Sequence, residues 1–156
     1  MLKAGEKFPE FALPNQDGKT ISSADLRGKW VILYVYPKDD TPGCTLEGKG
    51  FSASKAEFDK LNTVIYGLSA DDSKSHKDFC NKYDFTIDLL ADTNNEILDK
   101  AEVGQSDYKG TNYWNRVTFI IDPQGKIAKA YDHVKPDGHE KQVFEDLKEL
   151  QAQPVK

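Results

Sequence analysis

The sequence has few cysteines. Only Cys44 and Cys80 occur among its 156 residues, and no Cys-x-x-Cys pair is present. Two cysteines are too few for the disulfide framework of a small secreted protein, and their spacing fits no zinc finger. The three histidines, His76, His133 and His139, complete no ligand pattern with them. We therefore expect neither a metal ion nor another cofactor.

Long apolar segments are also missing. The longest apolar run covers seven residues, 30–36, whereas a membrane-spanning helix needs about 20. Residues 1–7 lack the apolar stretch of a signal peptide. The sequence therefore predicts a soluble chain with no membrane partner, located in the cytoplasm.

The chain has no excess of positive charge. Lysine and arginine total 21 against 26 aspartates and glutamates, which gives a net charge of −5. Without a basic arm or stripe, nucleic acid is disfavoured as a partner. Hydrophobic residues make up 38% and charged residues 30% of the chain, a composition typical of globular proteins. The length suits one domain, predicted to span residues 1–156.

The most informative stretch is residues 36–47, around which we expect the rest of the chain to be organised. It follows the apolar run and precedes a helical pattern at about 45–61, so Cys44 is predicted in the first turn of a helix, just beyond a buried strand. Free N–H groups and the positive end of the helix dipole stabilise an anion there. We therefore predict that Cys44 ionises more readily than a free thiol, whose pKa is ~8.5. The Thr41 hydroxyl can be directed at the same point.

A second interpretation is that Cys44 is a small core residue, because free cysteines are often buried. Its neighbours argue against this interpretation. Residues 39–43 are two aspartates, a threonine, a proline and a glycine, a set that favours a tight turn at the surface. The context therefore favours a reactive cysteine over a structural one.

Strand-like and helix-like segments alternate along the chain. An extended N-terminal segment precedes strands predicted at 30–36, 63–70, 89–91, 117–122 and 126–132. Helices are predicted at about 45–61, 73–84 and 138–152, and a further helix carrying residues 97–101 has Thr93 and Glu96 as its capping box. The order β-α-β-α-β-α-β-β-α predicts an α/β, thioredoxin-like fold: a central mixed β-sheet flanked by helices, with an N-terminal extension.

Over nearly its whole length, the sequence resembles peroxiredoxins of the bacterioferritin-comigratory (PrxQ-type) subfamily. Pro37, Thr41 and Cys44 match the signature PxxxTxxC, here in the form TPGCT, Glu47 follows three residues later, and Arg116 opens a late predicted strand. The resemblance implies a thiol-dependent peroxidase. Such an enzyme would reduce hydrogen peroxide and organic hydroperoxides through a sulfenic acid on Cys44.

The resemblance also implies a role for each matching residue. Arg116 would hold Cys44 as a thiolate and orient the peroxide, and Thr41 would hydrogen-bond the sulfur or the peroxide. Pro37 would shield the site from water, and Glu47 would position Arg116. Lowering a thiol pKa by ~2 units takes roughly 3 kcal/mol, which a helix N-terminus and a guanidinium can supply together. Without the family match, Arg116 could form a surface salt bridge and Glu47 could simply complement the helix dipole.

The sequence departs from the family pattern at Lys49. Many members carry the resolving cysteine at this position, five residues after the peroxidatic one. Cys80, 36 residues after Cys44, matches members whose resolving cysteine lies on the following helix. The resemblance thus implies an intramolecular disulfide that thioredoxin or a similar dithiol reduces. We expect one or both of the helices that carry the cysteines to unwind locally for this step, and Gly43, Gly48 and Gly50 lower the cost for the first of them.

Three alternatives stay open at this point. Cys44 could act alone in a one-cysteine peroxidase. The chain could instead be a redox-sensing chaperone or binding module with a thioredoxin fold. A disulfide oxidoreductase is disfavoured, because Cys-x-x-Cys is absent. The sequence also lacks the long C-terminal arm that larger peroxiredoxins use to dimerise, so a monomer is expected.

Overall fold

The computed structural model describes residues 1–153; the last three residues of the predicted domain, 154–156, lie outside it. The strands are β1 (Ala12–Pro14), β2 (Thr20–Ser22), β3 (Trp30–Val35), β4 (Thr63–Ser69), β5 (Asp88–Ala91), β6 (Gln105–Tyr108), β7 (Thr111–Trp114), β8 (Val117–Ile121) and β9 (Ile127–Tyr131). The helices are α1 (Pro42–Asp59), α2 (Ser73–Tyr83), α3 (Glu96–Lys100) and α4 (His139–Ala152), and a short 3-10 helix covers Ser23–Leu26. Within residues 1–153, none of the helices is both long enough and apolar enough to cross a bilayer.

The centre of the molecule is a five-stranded mixed sheet in the order β5-β4-β3-β8-β9. β3 pairs in parallel with β4 and antiparallel with β8, and β8 and β9 form an antiparallel hairpin. From Val31 onward every residue of β3 is buried, which explains its unbroken apolar sequence, because both faces of the sheet are covered. The predicted mixed sheet flanked by helices is confirmed.

Side chains of β3 alternate between two hydrophobic clusters, one on each face of the sheet. Leu33 and Val35 face the cluster that contains the N-terminal segment and α3. Ile32 and Tyr34 face the cluster formed with α1, α2 and α4, and both cysteines lie in this second cluster. The two thiols therefore share one core on the same side of the sheet.

The pairing of β3 with β8 determines which residues meet where β3 ends and β8 begins. Val35, the last residue of β3, is opposite Val117, the first residue of β8. Because the strands are antiparallel, the loop that follows β3 and the residue that precedes β8, Arg116, meet at the same edge. The Arg116 carbonyl accepts a 2.9 Å hydrogen bond from the N–H of Val134, which fixes the backbone there.

Two helix starts differ from the predictions. α1 begins at Pro42 and not at about residue 45, because proline fits the first position of a helix, where no N–H partner is needed. The capping box of Thr93 and Glu96 is wrong. The Asp92 carboxylate caps α3 instead. It accepts hydrogen bonds from the backbone N–H groups of residues 96, 97 and 98 at 3.1, 3.0 and 2.8 Å.

The hairpin of β6 and β7 is absent from the sequence prediction. Its turn consists of Lys109 and Gly110, whose φ angles are 51° and 85°. Two successive positive φ angles form the tight turn that joins strands across two residues. The Lys-Gly pair between two four-residue strands is the sequence signal for this hairpin.

Two glycines in α1 allow close packing from other elements. A Cβ on Gly48 would lie 2.4 Å from the tip of the Phe85 ring, and a Cβ on Gly50 would lie 2.6 Å from the Glu140 carboxyl group. On sequence grounds both glycines are only weak points of the helix. In the structure, Gly48 is the place where the ring of Phe85 packs directly against the helix backbone.

We expect Gly48→Ala to lower the free energy of unfolding by up to about 2 kcal/mol. Displacing a packed ring costs about 1–3 kcal/mol and outweighs the ~1 kcal/mol gain in helix propensity. Gly50→Ala is the matched control, because Glu140 can rotate away and the propensity gain then remains. Urea unfolding of both variants measures the difference. Equal stability of the two variants would contradict the proposed contact with Phe85.

Candidate active site

Cys44 is the third residue of α1 and is 1% exposed. The Arg116 charge, the Thr41 side chain and the Lys38 backbone act on its sulfur, and each of them lowers the pKa of the thiol. The Thr41 hydroxyl also donates to the Lys38 carbonyl at 2.9 Å. The structure thus brings Thr41, Cys44 and Arg116 together, although Arg116 is 72 residues from Cys44 in the sequence.

The predicted lowering of the Cys44 pKa is wrong for this arrangement. Burial raises the pKa of the Cys44 thiol, and this effect exceeds the lowering by the Arg116 charge and by the hydrogen bonds of Thr41 and Lys38. The polar neighbours in sequence do not expose the sulfur, because the helix start turns it into the core. Cys44 is therefore both a buried residue and one with anion-stabilising contacts.

Cys80 has fewer anion-stabilising contacts. Burial and the charges of Asp39 and Asp88 raise its pKa to about 12, with Lys77 as the opposing charge. It lies on α2, is 7% exposed, and is a free thiol like Cys44. Of the two cysteines, Cys44 has the environment better suited to a thiolate.

Arg116 and Glu47 form a buried ion pair. Arg116 Nη1 lies 2.8 Å from Glu47 Oε1, and their side chains are 15% and 0% exposed. This burial rules out a surface salt bridge. Burial alone would lower the pKa of Arg116, but the negative charges of Cys44 and Glu47 raise it above its ordinary value. Gly43 permits the contact with α1, because a Cβ there would lie 2.7 Å from Arg116 Nη2.

Glu47 is an unusual carboxyl group. Burial raises its pKa to about 7, Arg116 opposes this rise, and Glu140 adds to it. Oε1 pairs with Arg116, whereas Oε2 has no hydrogen-bond partner among residues 1–153. The predicted contact of Glu47 with Arg116 is present, and the structure adds a second, unpaired oxygen.

A groove of about 670 Å³ lies at the start of α1 and is lined by Thr41 and Pro42, but not by Cys44 itself. One wall is the loop after β3, which includes Pro37 and Thr41, and the other is the unpredicted hairpin with Tyr108 and Trp114. Arg116 also lines the groove. Tyr108 is 63% exposed, so the groove offers an aromatic surface leading towards the polar groups around the sulfur.

A buried polar network joins the loop after β3 to α2, and sequence reasoning missed it. The Asp39 carboxylate accepts hydrogen bonds from the Tyr36 hydroxyl at 2.6 Å and from the Ser75 hydroxyl at 2.7 Å, and lies 2.7 Å from His76 Nδ1. The other ring nitrogen of His76 contacts the Leu90 carbonyl at 2.9 Å. Asp39 thus holds the cysteine loop to the helix that carries Cys80.

The neighbouring Asp40 makes a second connection to α2 at the surface. It accepts hydrogen bonds from Lys82 Nζ at 2.7 Å and from the Tyr83 hydroxyl at 2.8 Å. Cys80 lies between the two attachment points, one turn after His76. The structure therefore ties α2 to the loop on both sides of Cys80.

The mixed sheet, its flanking helices and a cysteine at the start of α1 define a protein of the thioredoxin-like class. Residues 4–130 match the AhpC/TSA family. A Helicobacter pylori protein named putative peroxiredoxin Bcp is 42% identical over 94% of this chain and 98% of its own length. Peroxiredoxin Bcp of Bacillus subtilis is 33% identical over 96% and 97%.

Solved structures agree with these sequence relatives. A serine mutant of Xylella fastidiosa PrxQ superposes with a TM-score of 0.92 at 30% identity, covering 98% of this chain and 99% of that one. A Xanthomonas campestris bacterioferritin comigratory protein gives a TM-score of 0.87 at 33% identity, covering 94% and 98%. The chain belongs to the AhpC/TSA family. Its likeness to Bcp and PrxQ peroxiredoxins confirms the thioredoxin-like fold and a thiol-dependent peroxidase function.

Proposed function

We propose that Cys44 is the peroxidatic thiol. Its thiolate attacks the terminal oxygen of a peroxide, the S–O bond forms as the O–O bond breaks, and the leaving oxygen takes up a proton to become water or an alcohol. The sulfur ends as a sulfenic acid. The observation that carries this proposal is a single guanidinium that pairs with Glu47 on α1, lies against Gly43 beside the cysteine and also lines the open groove.

The groove is the proposed path of the peroxide. Thr41 and Arg116 lie at the sulfur and also line the groove, so both can orient the two peroxide oxygens there. Pro37 covers the adjacent wall and limits access of water. Tyr108 and Trp114 provide apolar surface for the organic part of a hydroperoxide, which supports organic hydroperoxides as substrates beside hydrogen peroxide. Alkyl peroxide reduction is the activity described for the Xanthomonas campestris bacterioferritin comigratory protein.

Cys80 is the proposed resolving cysteine. It would attack the sulfenic acid of Cys44, form the S–S bond and release water. Xanthomonas PrxQ has been solved with either of two cysteines replaced by serine, and those cysteines have the same 36-residue separation as Cys44 and Cys80. Because Asp39 and Asp40 tie α2 to the loop, one or both helices must open first.

The reductant is proposed to be thioredoxin or a similar dithiol, which would reduce the disulfide back to two thiols. The cytoplasm is the matching compartment, because thiols are kept reduced there. We further propose that the chain acts as a monomer and that residues 1–156 form one domain. The groove and both cysteines of the proposed cycle belong to a single chain.

Mass spectrometry after one equivalent of peroxide tests the cycle. The wild-type protein is expected to lose two hydrogens as a Cys44–Cys80 disulfide forms. Cys80→Ser should gain one oxygen, stop turning over with thioredoxin and overoxidise more easily, because no thiol traps the sulfenic acid. Cys44→Ser should consume no peroxide.

Each alternative predicts a different result. Normal turnover of Cys80→Ser with thioredoxin would replace the two-cysteine cycle with a one-cysteine mechanism. Full peroxide consumption by Cys44→Ser would remove Cys44 from the reaction. A wild-type protein that is oxidised once and never recycled by any dithiol would indicate a redox sensor or binding module.

A further inference from the structure

Among residues 1–153, two groups that can become anions lie beside one partly buried cation. Arg116 Nη1 lies 2.8 Å from Glu47 Oε1, and Nη2 would lie 2.7 Å from a Cβ on Gly43, the neighbour of Cys44. The Arg116 charge lowers the pKa of Cys44 against the effect of burial. The other candidate cation nearby is His139 on α4. Burial, with the Arg116 charge as a further cause, lowers the pKa of His139 to about 4. The ring is therefore neutral at ordinary pH. Among residues 1–153, Arg116 is the cation that compensates negative charge on the two side chains.

A second anion would be poorly stabilised here. Glu47 is fully buried, and its Oε2 has no hydrogen-bond partner among residues 1–153. Glu140, on α4, faces Glu47 and adds further negative charge, and Tyr34 on β3 lies near both Glu47 and Cys44. A buried charge without a counterion is costly. Burial raises the pKa of both Cys44 and Glu47, and the Arg116 charge opposes the rise in each case.

We propose that Cys44 and Glu47 share one proton, so that the Cys44 thiolate forms while Glu47 is the neutral carboxylic acid. In the step, Cys44–SH and Glu47–COO⁻ become Cys44–S⁻ and Glu47–COOH, and the net charge of the cluster does not change. The inference rests on the proposed role of Cys44. Glu47 thus has two roles. It orients the Arg116 guanidinium, and it binds the proton that Cys44 releases.

The helix start stabilises the thiolate form and so opposes the effect of burial, which keeps the proton on Cys44. Cys44 is the third residue of α1, where free backbone N–H groups add partial positive charge. Glu47 lies in the second turn and receives less of this field. When Glu47 holds the proton, the guanidinium charge is available to the sulfur alone.

The proposal and a purely positioning role for Glu47 make opposite predictions for Glu47→Gln. An amide keeps the shape and can still accept the Arg116 hydrogen bond, but it never becomes an anion. If the proton is shared, the midpoint of Cys44 ionisation should fall by about one pH unit or more, because the competing charge is gone. If Glu47 only orients Arg116, the midpoint should stay the same or rise.

The experiment follows the ultraviolet absorbance of the Cys44 thiolate against pH in the reduced, full-length chain. Glu57→Gln is the matched control, since Glu57 lies on the same helix with a largely exposed side chain, and it should leave the midpoint unchanged. An unchanged or raised midpoint in Glu47→Gln would overturn the proposal. No peroxide is used, so a failure of the proposed peroxidase cycle would appear separately, as peroxide turnover in Cys44→Ser.

A second measurement does not depend on the folding of Glu47→Gln. Coupling between two sites is reciprocal, so Cys44 must also affect Glu47. Carbon-13 NMR of labelled glutamate should show Glu47 titrating over a broad, two-step range in the wild-type protein. In Cys44→Ser the same carboxyl should titrate in one step that ends at lower pH. Identical Glu47 curves in the two proteins would also overturn the proposal.

Discussion

Replacing Arg116 with methionine is expected to slow the oxidation of Cys44 by peroxide about 10²–10³-fold, the cost of losing one preorganised charge donor. Two effects combine. The guanidinium lowers the pKa of Cys44 against the effect of burial, so its loss reduces the thiolate fraction further. The peroxide also loses a hydrogen-bond donor in the wall of the groove. Stopped-flow fluorescence of Cys44 oxidation measures the rate.

The fold should survive this substitution. Without Arg116, Glu47 would be an unpaired buried anion, but its pKa is already raised to about 7, and loss of the cation raises it further. Glu47 can therefore bind a proton and remain buried as a neutral acid. Arg116→Lys should restore little activity, because an ammonium group lacks the planar fork that reaches sulfur and carboxylate together.

Arg27 is the only other arginine in the sequence and provides the control. It lies beside Gly125, away from the groove, so Arg27→Met should react with peroxide at the wild-type rate. A wild-type rate in Arg116→Met, with the folded structure confirmed by circular dichroism, would remove Arg116 from the reacting site.

Asp39→Ala is expected to lower the free energy of unfolding by about 3 kcal/mol. The Asp39 carboxylate accepts hydrogen bonds from the hydroxyls of Tyr36 and Ser75 and lies 2.7 Å from Nδ1 of the fully buried His76 ring. Each buried polar group that loses its partner costs about 1–3 kcal/mol, and removing Asp39 takes the partner from several groups at once.

The functional consequence should appear at Cys80. Asp39 ties the loop to α2 one turn before Cys80, so its loss should let α2 open more often. We expect faster alkylation of Cys80 in Asp39→Ala, measured in a Cys44→Ser background. Asp40→Ala is the matched control, because Asp40 bonds α2 from an exposed position, and its stability should stay close to wild type. Equal unfolding midpoints for the two variants would contradict the proposed role of the buried network.

Much of the fold could be predicted because its signals are local. The unbroken apolar run of β3 predicts a strand covered on both faces, and the alternation of segments predicts the mixed sheet. The capping of α3 could not be read from spacing, because the Asp92 carboxylate reaches past Asn95, whose φ of 59° closes the turn. The hairpin of β6 and β7 escapes prediction because its strands are polar and largely exposed.

The residues that form the site could be predicted from the sequence, but their pKa values could not. The family signature identifies Cys44, Thr41 and Arg116, and the structure brings them together. The raised pKa of Cys44 could not be predicted, because burial depends on the direction in which the start of α1 turns the sulfur. The link between Asp39 and His76 depends on a contact across 37 residues, for which the local sequence contains no signal.

The register of β3 and β8 has a consequence for folding. Val35 lies opposite Val117, so Arg116 reaches Cys44 only after strands far apart in sequence have paired, a slow step in folding. Before this pairing, Cys44 has neither the guanidinium nor a completed helix start beside it. A nascent or partly unfolded chain therefore carries only an ordinary thiol at this position. The surroundings on which the proposed peroxide reaction of Cys44 depends are therefore completed only together with the native sheet.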